Sequence, residues 1–280
     1  MNVFTALFLG LIQGIAEFLP ISSSGHLAIL QNLFNMEYSE EHHLLFDILL
    51  HLGTLVSICA VYNKEIRLML NDGVEYLRQK SDSNNDEPVV LKPPGRALLF
   101  VLVGSLPLIL VAFIPFSQLF FNTFFIGFAL IMTGCILFVA SRYIKEGKKT
   151  DKTMTMTDAI IIGLAQVVAV MPGLSRSGTT ISVGLARGLT GAFAVRFSLL
   201  LSIPAVIGAT ILSLFRAIGG GADFSLLPTY LAGFVIAAGV GYFAIQILRR
   251  VMAKRKLGSF SYYCWLIGLM TIIWSFFRMG

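Results

Sequence analysis

The sequence predicts an all-α polytopic membrane protein: an inverted-topology repeat with six transmembrane helices and two re-entrant helical hairpins. Composition is the first ground. Hydrophobic residues make up 56% of the 280-residue chain and charged residues 13%, about half the charge that an ordinary soluble domain carries. The second is a series of apolar runs long enough to cross a hydrocarbon core roughly 30 Å thick. The third is an internal duplication that places two broken apolar segments in corresponding positions.

The chain opens on an apolar segment, Met1–Ala16, that is interrupted by Glu17, Pro20 and a serine run. The spans Leu44–Asn63 (which carries Asp47 and His51), Ala97–Phe116 and Leu119–Ala140 follow. Between the first two lies a soluble-looking stretch, Lys64–Arg96, whose centre Ser81–Pro88 reads as a polar loop. A charged linker, Ser141–Thr157, divides the chain near its middle. A second broken segment, Ala159–Met171, stops at Pro172-Gly173 and another serine run; Phe197–Phe215, Ser225–Leu248 and Leu257–Phe277 complete the series. Both broken segments are too short to span comfortably and read as re-entrant. Irregular backbone at membrane depth is tolerated only where protein or a water-filled cavity surrounds it, and paired interruptions in two halves point to a site between them.

The duplication is explicit. Gly10-Leu11-x-Gln13-x-x-Ala16, followed by Ser22-x-Ser24-Gly25, recurs at an offset of 153 residues as Gly163-Leu164-x-Gln166-x-x-Ala169 and Ser175-x-Ser177-Gly178. Phe46-x-x-Leu49-Leu50 recurs as Phe197-x-x-Leu200-Leu201. Residues 1–140 form the first repeat, including the loop 64–96; 141–157 are the linker and 158–280 the second repeat. The basic loops Lys64–Arg96, Ser141–Thr157 and Arg249–Lys256 belong on the cytoplasmic side by the positive-inside rule, while the loops near Ser117 and Gly220 carry no Lys or Arg. The first 63 residues hold no Lys or Arg either, and the acids Glu37, Glu40, Glu41 and Asp47 flank the first hairpin; Arg187 and Arg196 flank the second. The hairpins therefore enter from opposite faces, and the repeats are inverted.

The net charge of +6 fits this topology and requires no nucleic-acid partner. Cys59, Cys135 and Cys264 sit singly in apolar runs and read as small buried hydrophobes, without disulfide or metal spacing. The first 16 residues lack the basic n-region and small-residue cleavage site of a secretory leader.

The chemistry concentrates in the two interruptions. Gln13 and Glu17 are four apart and share a helix face, and a carboxylate within a membrane segment is a functional candidate by default. Pro20-Ile21-Ser22-Ser23-Ser24-Gly25-His26 adds three hydroxyls and an imidazole. Back-bonding to the helix is the structural alternative for the serines. In the second copy, Pro172-Gly173-Leu174-Ser175-Arg176-Ser177-Gly178-Thr179-Thr180 makes a turn, and Ser175 or Ser177 can cap the helix that resumes after it. Hydroxyls, free N–H groups and a guanidinium at a helix N-terminus form an anion site. Arg176 needs an anionic partner at this depth, either Glu17 or a phosphate. Together these are the parts of a phosphoryl-transfer site: positive clamp, backbone donors, carboxylate and nucleophile candidate. His51, one turn after Asp47, lines the same cavity or packs in the core; His42 and His43 read as solvated.

Gln13-x-x-x-Glu17 with Phe18-Leu19-Pro20-Ile21-Ser22-Ser23-Ser24-Gly25-His26 resembles the first signature of the bacitracin-resistance type undecaprenyl-diphosphate phosphatases, and Pro172 to Thr180 resembles the second. Phe46–Thr54 and Arg196–Pro204 are similar to further family segments, so the resemblance covers essentially the full chain. It implies hydrolysis of undecaprenyl diphosphate to the monophosphate, which recycles the carrier for peptidoglycan synthesis and confers bacitracin resistance. It also implies a divalent cation (Mg²⁺ or Ca²⁺) with Glu17 as its ligand, a site open to the outer face of the bacterial plasma membrane, and a homodimer. By position, Glu17 orients metal or water, and Ser23 or His26 is nucleophile or proton shuttle. Arg176 holds the diphosphate with Ser175, Ser177, Gly178 and Thr180, and Gln13, Ser22 and Ser24 join the substrate-binding set. The family pattern allows Glu or Gln at position 13, which argues against an obligatory metal ligand there.

A transporter or flippase of polyprenyl phosphate lipids is the rival reading, because inverted repeats with broken helices are common in transporters. H-E-x-x-H is absent, which disfavours a membrane metalloprotease.

Overall fold

The computed structural model describes residues 1–33, 40–82, 91–111, 122–219 and 224–279. These form eleven α-helices and no β-strand, with one isolated bridge between Lys149 and Leu189. The first hairpin is α1 (Val3–Phe18) and α2 (Ser23–Leu33), followed by α3 (Glu40–Val61), α4 (Asn63–Asp82), α5 (Pro93–Val111) and α6 (Thr123–Tyr143). The second hairpin is α7 (Met156–Val168) and α8 (Arg176–Ala186), followed by α9 (Gly191–Gly219), α10 (Leu227–Ala253) and α11 (Ser259–Met279). Five helices are long and apolar enough to cross a membrane: α3, α6, α9, α10 and α11. The expected span Ala97–Phe116 begins in α5 and runs on past Val111 outside the described residues, as do Leu119–Phe121 of the next span and Glu37.

The structure differs from the sequence reading at Lys64–Arg96, where a helix stands in place of most of the expected loop. In α4, Ile66 and Met69 pack against the bundle while Leu70, Val74 and Leu77 lie exposed. These apolar positions follow the helical period on one arc, with Arg67, Arg78 and Lys64 beside it, which is the pattern of an interfacial helix. The polar centre of the stretch lies mostly outside the described residues. Cys264 is buried as expected, but Cys59 and Cys135 are exposed on outward helix faces. Val235, Phe243 and Leu266 are likewise exposed, as befits helices surrounded by lipid.

The repeats interlock by exchange. The first hairpin limb, α1, packs on α10 of the second repeat; its counterpart α7 packs on α5 of the first. α3 contacts α10, α9 contacts α5, and α6 pairs with α11. Glycines set the closest crossings at repeat-equivalent positions. A Cβ on Gly10 would lie 2.5 Å from the Gly233 carbonyl oxygen, and one on Gly163 would collide with that of Gly104. Small residues let membrane helices approach backbone to backbone, where dispersion replaces the missing hydrophobic drive.

The linker is pinned to the second hairpin. Fully buried Asp158 accepts from Lys149 Nζ at 2.8 Å and Arg187 Nε at 2.9 Å, and completes a capping box with Thr155. Arg187 and Arg196, the basic flank of this hairpin, thus both meet carboxylates, the former Asp158 and the latter Asp151 of the linker at 3.4 Å.

Gly10→Val should drive α1 off α10 and sharply reduce the monodisperse fraction of purified protein. Gly239→Ala on α10 adds a methyl with no atom within 4 Å. It should raise stability by about 0.5–1 kcal/mol. Size-exclusion chromatography and thermal unfolding of the full chain check both.

Candidate active site

The first interruption follows from Pro20, which forces the preceding Leu19 out of helical conformation, to φ −66° and ψ 141°. The chain then turns through Ser22 at φ +71°, a left-handed conformation that costs a non-glycine residue about 1–3 kcal/mol. Two hydrogen bonds hold it there: the Ser22 carbonyl accepts from the His26 backbone N–H at 3.2 Å and is 2.8 Å from His26 Nδ1. α2 then begins with Ser23. In the second interruption the left-handed residue is Gly173, at φ +89°. Ser175 caps α8, its Oγ accepting from the Gly178 N–H at 3.1 Å. Thr133 of α6 ties the turn by donating to the Gly173 carbonyl and accepting from the Ser175 N–H.

The two turns meet. The Gly173 N–H donates to Ser24 Oγ at 3.5 Å, and a Cβ on Gly25 would lie 3.1 Å from Gly173 Cα. The N-termini of α2 and α8 therefore converge, and their partial positive charge collects at one place. Glu17, the end of α1, lies between them with its side chain 4% exposed. Its Oε1 is paired with the Arg176 guanidinium. Its Oε2 accepts from Ser23 Oγ at 2.7 Å and from Gln13 Nε2 at 3.0 Å. Gln13 Nε2 also lies 3.1 Å from His51 Nδ1, which stands 3.7 Å from the same carboxylate oxygen. Donation from Gln13 requires His51 Nδ1 to be the bare nitrogen. Gln13 Oε1 is buried with no partner among the described residues.

The structure thus brings together Gln13, Glu17, Ser23 and Arg176 of the expected set, with His51 beside Gln13 and Glu17. Ser22, Ser24, Ser175, Ser177 and Gly178 lie in the two turns, where the hydroxyls bond loop atoms: Ser22 Oγ accepts from the Gly25 N–H, and Ser175 and Ser177 hydroxyls are 3.3 Å apart. Thr180 points back to Ser198, Oγ to Oγ 2.6 Å. His26 is directed away from the carboxylate. With Nδ1–H donated to Ser22, its Nε2 accepts from the Tyr263 hydroxyl at 2.8 Å, and the two rings stack 6° from parallel. Tyr263, Thr133 and Ser198 escape sequence reasoning because each is one polar residue within a long apolar helix, with no local pattern around it.

Chemically, a hydroxyl donating to a buried carboxylate is a nucleophile beside its base, and a guanidinium at a double helix N-terminus is a phosphate clamp.

Comparison with known proteins agrees with this chemistry. The family described as "Bacitracin resistance protein BacA" matches residues 6–270. The chain is 40% identical over 279 residues to an undecaprenyl-diphosphatase of Carboxydothermus hydrogenoformans, covering 98% of this chain and 97% of that one. It is 37% identical to the undecaprenyl-diphosphatase of Methanobrevibacter smithii, covering 98% of each. It is 36% identical to undecaprenyl-diphosphatase 1 of Shouchella clausii, covering 98% of this chain and 97% of that one. Matches of this extent cover nearly the whole chain, and the chain belongs to the BacA bacitracin-resistance family.

Proposed function

We propose that the protein hydrolyses the phosphoanhydride bond of undecaprenyl diphosphate, yielding undecaprenyl phosphate and inorganic phosphate, with Ser23 as nucleophile and Glu17 as its base. The observation that carries the reading is the buried Glu17 carboxylate, shared between Ser23 Oγ and the Arg176 guanidinium where two helix N-termini meet. The entering diphosphate takes over the Arg176 fork, whose planar geometry matches two phosphate oxygens. Glu17, relieved of that partner, accepts the Ser23 hydroxyl proton as Oγ attacks the terminal phosphorus and the bond to the bridging oxygen breaks. Glu17 releases that proton to the departing phosphate oxygen, and undecaprenyl phosphate leaves. Water then attacks the phosphoserine with Glu17 taking its proton. Glu17 returns a proton to Ser23 Oγ as the Oγ–P bond breaks, and inorganic phosphate departs with Ser23 regenerated. His26 is a positioning residue: it fastens the strained Ser22 carbonyl from behind, which aims Ser23 at Glu17, and Tyr263 fixes its tautomer.

A divalent cation, Mg²⁺ or Ca²⁺, fits the donors present, since hard oxygen ligands are what such ions take and one or two carboxylates with substrate phosphates suffice. Glu17 would hold it with the unpartnered Gln13 Oε1, and the ion would supply positive charge to the diphosphate. The same reading places the site toward the outer face of the bacterial plasma membrane, supported by the basic loops at the other end of the bundle, and extends to a homodimer on the family resemblance. A pure flippase would release no phosphate. Liberation of phosphate from a soluble prenyl diphosphate by the purified protein is the deciding experiment; none released overturns the reading.

Four outcomes follow from the geometry. Glu17→Gln keeps the shape but removes the base, and kcat/KM should fall about 10²–10⁴-fold. Gln13→Glu should be tolerated, with a shifted metal midpoint in a chelator and Mg²⁺ titration. Arg176→Lys keeps the charge and loses the fork, so transition-state stabilisation should drop by about 2–3 kcal/mol; near-normal turnover of correctly inserted protein would make Arg176 structural. Tyr263→Phe should lower kcat about three- to tenfold with KM unchanged, the expectation for a lost neutral hydrogen bond. A proton shuttle at His26 would instead show as a displaced pH profile in this variant.

A further inference from the structure

A cavity of about 710 Å³ opens where α3 passes into α4, α9 begins and α10 ends. It contains none of the Glu17, Ser23 or Arg176 machinery and lies among the basic loops. Its charges are Arg196, Arg249 and Arg250 against Glu65 and Asp151. Asp151 is engaged by Arg196 at 3.4 Å, and Arg196 also stacks over the Phe193 ring at 5.0 Å. Arg249 and Arg250 have no carboxylate partner among the described residues, and Gln246, one turn earlier, adds an amide donor to the same wall. Tyr62, 4% exposed, lines the cavity and offers its phenolic O–H as a donor.

Basic residues in the last turn of a helix complement its dipole and face the cytoplasmic surface in membrane proteins generally. That ordinary role does not account for a concave site with a buried hydroxyl at its wall. The donors are those that bind a phosphoryl anion. The surroundings say which kind. Phe243 precedes Arg250 by seven residues, two turns along the same side of α10, and is 67% exposed; Ile247 beside it is 47% exposed. An apolar track leads from the cationic mouth along a membrane-spanning helix, which suits a headgroup attached to an acyl chain and not a free ion.

We propose that this cavity binds the phosphate headgroup of an anionic membrane phospholipid, with Arg249 and Arg250 on the phosphate, Tyr62 and Gln246 as further donors, and an acyl chain along Phe243 and Ile247. Basic pockets between transmembrane helices on the cytoplasmic side have the chemistry for such headgroups.

The test is native mass spectrometry of the delipidated full chain in detergent, titrated with phosphatidylglycerol, phosphatidylcholine or inorganic phosphate. One phosphatidylglycerol should be retained per chain in preference to phosphatidylcholine. Millimolar inorganic phosphate should not displace it. Arg249→Gln/Arg250→Gln should weaken retention on the order of tenfold, the corresponding Lys pair should restore part of it, and phosphate release from a soluble prenyl diphosphate should be unchanged. Equal retention of both lipids, or equal retention by wild type and the Gln pair, overturns the proposal. Displacement by inorganic phosphate overturns the lipid as the source of the anion. Should the Gln pair fail to insert, Tyr62→Phe removes only a hydroxyl and should weaken retention severalfold; no effect from it counts against the site.

Discussion

The two oxygens of Glu17 divide the molecule between them. Oε1 is held by Arg176 from the second repeat, and Oε2 by Ser23 and Gln13 from the first. An ion pair this deeply placed is a poor device for stability alone, since desolvation of both charges offsets most of their attraction, while removal of one partner leaves the other stranded at a cost of several kcal/mol. Its value is exchange. In the proposed reaction a phosphate that displaces the carboxylate from Arg176 replaces one anion with another, so the guanidinium is never stripped of a partner, and the carboxylate is released next to the Ser23 hydroxyl.

Duplication supplies the frame and divergence supplies the chemistry. The equivalents of Gln13, Ser22, Ser24 and Gly25 are Gln166, Ser175, Ser177 and Gly178, so both turns keep the hydroxyls and glycine that let two backbones touch. Three positions differ in kind. Glu17 is matched by Val170, Ser23 by Arg176, and His26 by Thr179. The first copy thus holds the carboxylate, the extra hydroxyl and the imidazole, and the second holds the cation. The backbone has diverged with them: Ser22 is left-handed at φ +71°, whereas Ser175 sits at φ −76°. His26 Nδ1 reaches the strained carbonyl in one copy, while the hydroxyl at the equivalent Thr179 has no partner among the described residues. The strain and the residue that holds it occur together, on the side that carries Ser23 and Glu17.

Much of this was legible before any coordinates. Interrupted apolar segments, the 153-residue offset and charge in the wrong place for a membrane singled out the hairpins, Glu17 and Arg176, because lipid punishes irregular backbone and unpaired charge so heavily that their presence is informative. What was not legible depends on contacts between distant segments. Tyr263 comes within 2.8 Å of His26 from 237 residues away, and nothing in the run around it marks it out. His26 looked like a catalytic imidazole from its place in the serine motif; only its two bonds show that it faces Ser22 and Tyr263. α4 was hidden for another reason. Its charges lowered the hydropathy enough to suggest a loop, while Ile66, Met69, Leu70, Val74 and Leu77 preserved a helical period.

The exchange of helices between repeats ties chemistry to assembly. α1 carries Gln13 and Glu17, yet it packs mainly on α10 of the other repeat, through Gly10 against Gly233 and Gly14 against Ala237. α7 leads into the Arg176 turn, yet it packs on α5, through Gly163 against Gly104. Each half therefore positions the opening helix of the other half's hairpin. A site on two separately folded units would be only as well aligned as their interface. Here the α1–α10 and α5–α7 crossings are fixed by backbone contact that admits no side chain, so the relative placement of Glu17 and Arg176 is set by the same packing that makes the bundle fold. The buried ion pair can then be weak in net stability and still be accurately placed, which is the condition a substrate anion needs to displace it.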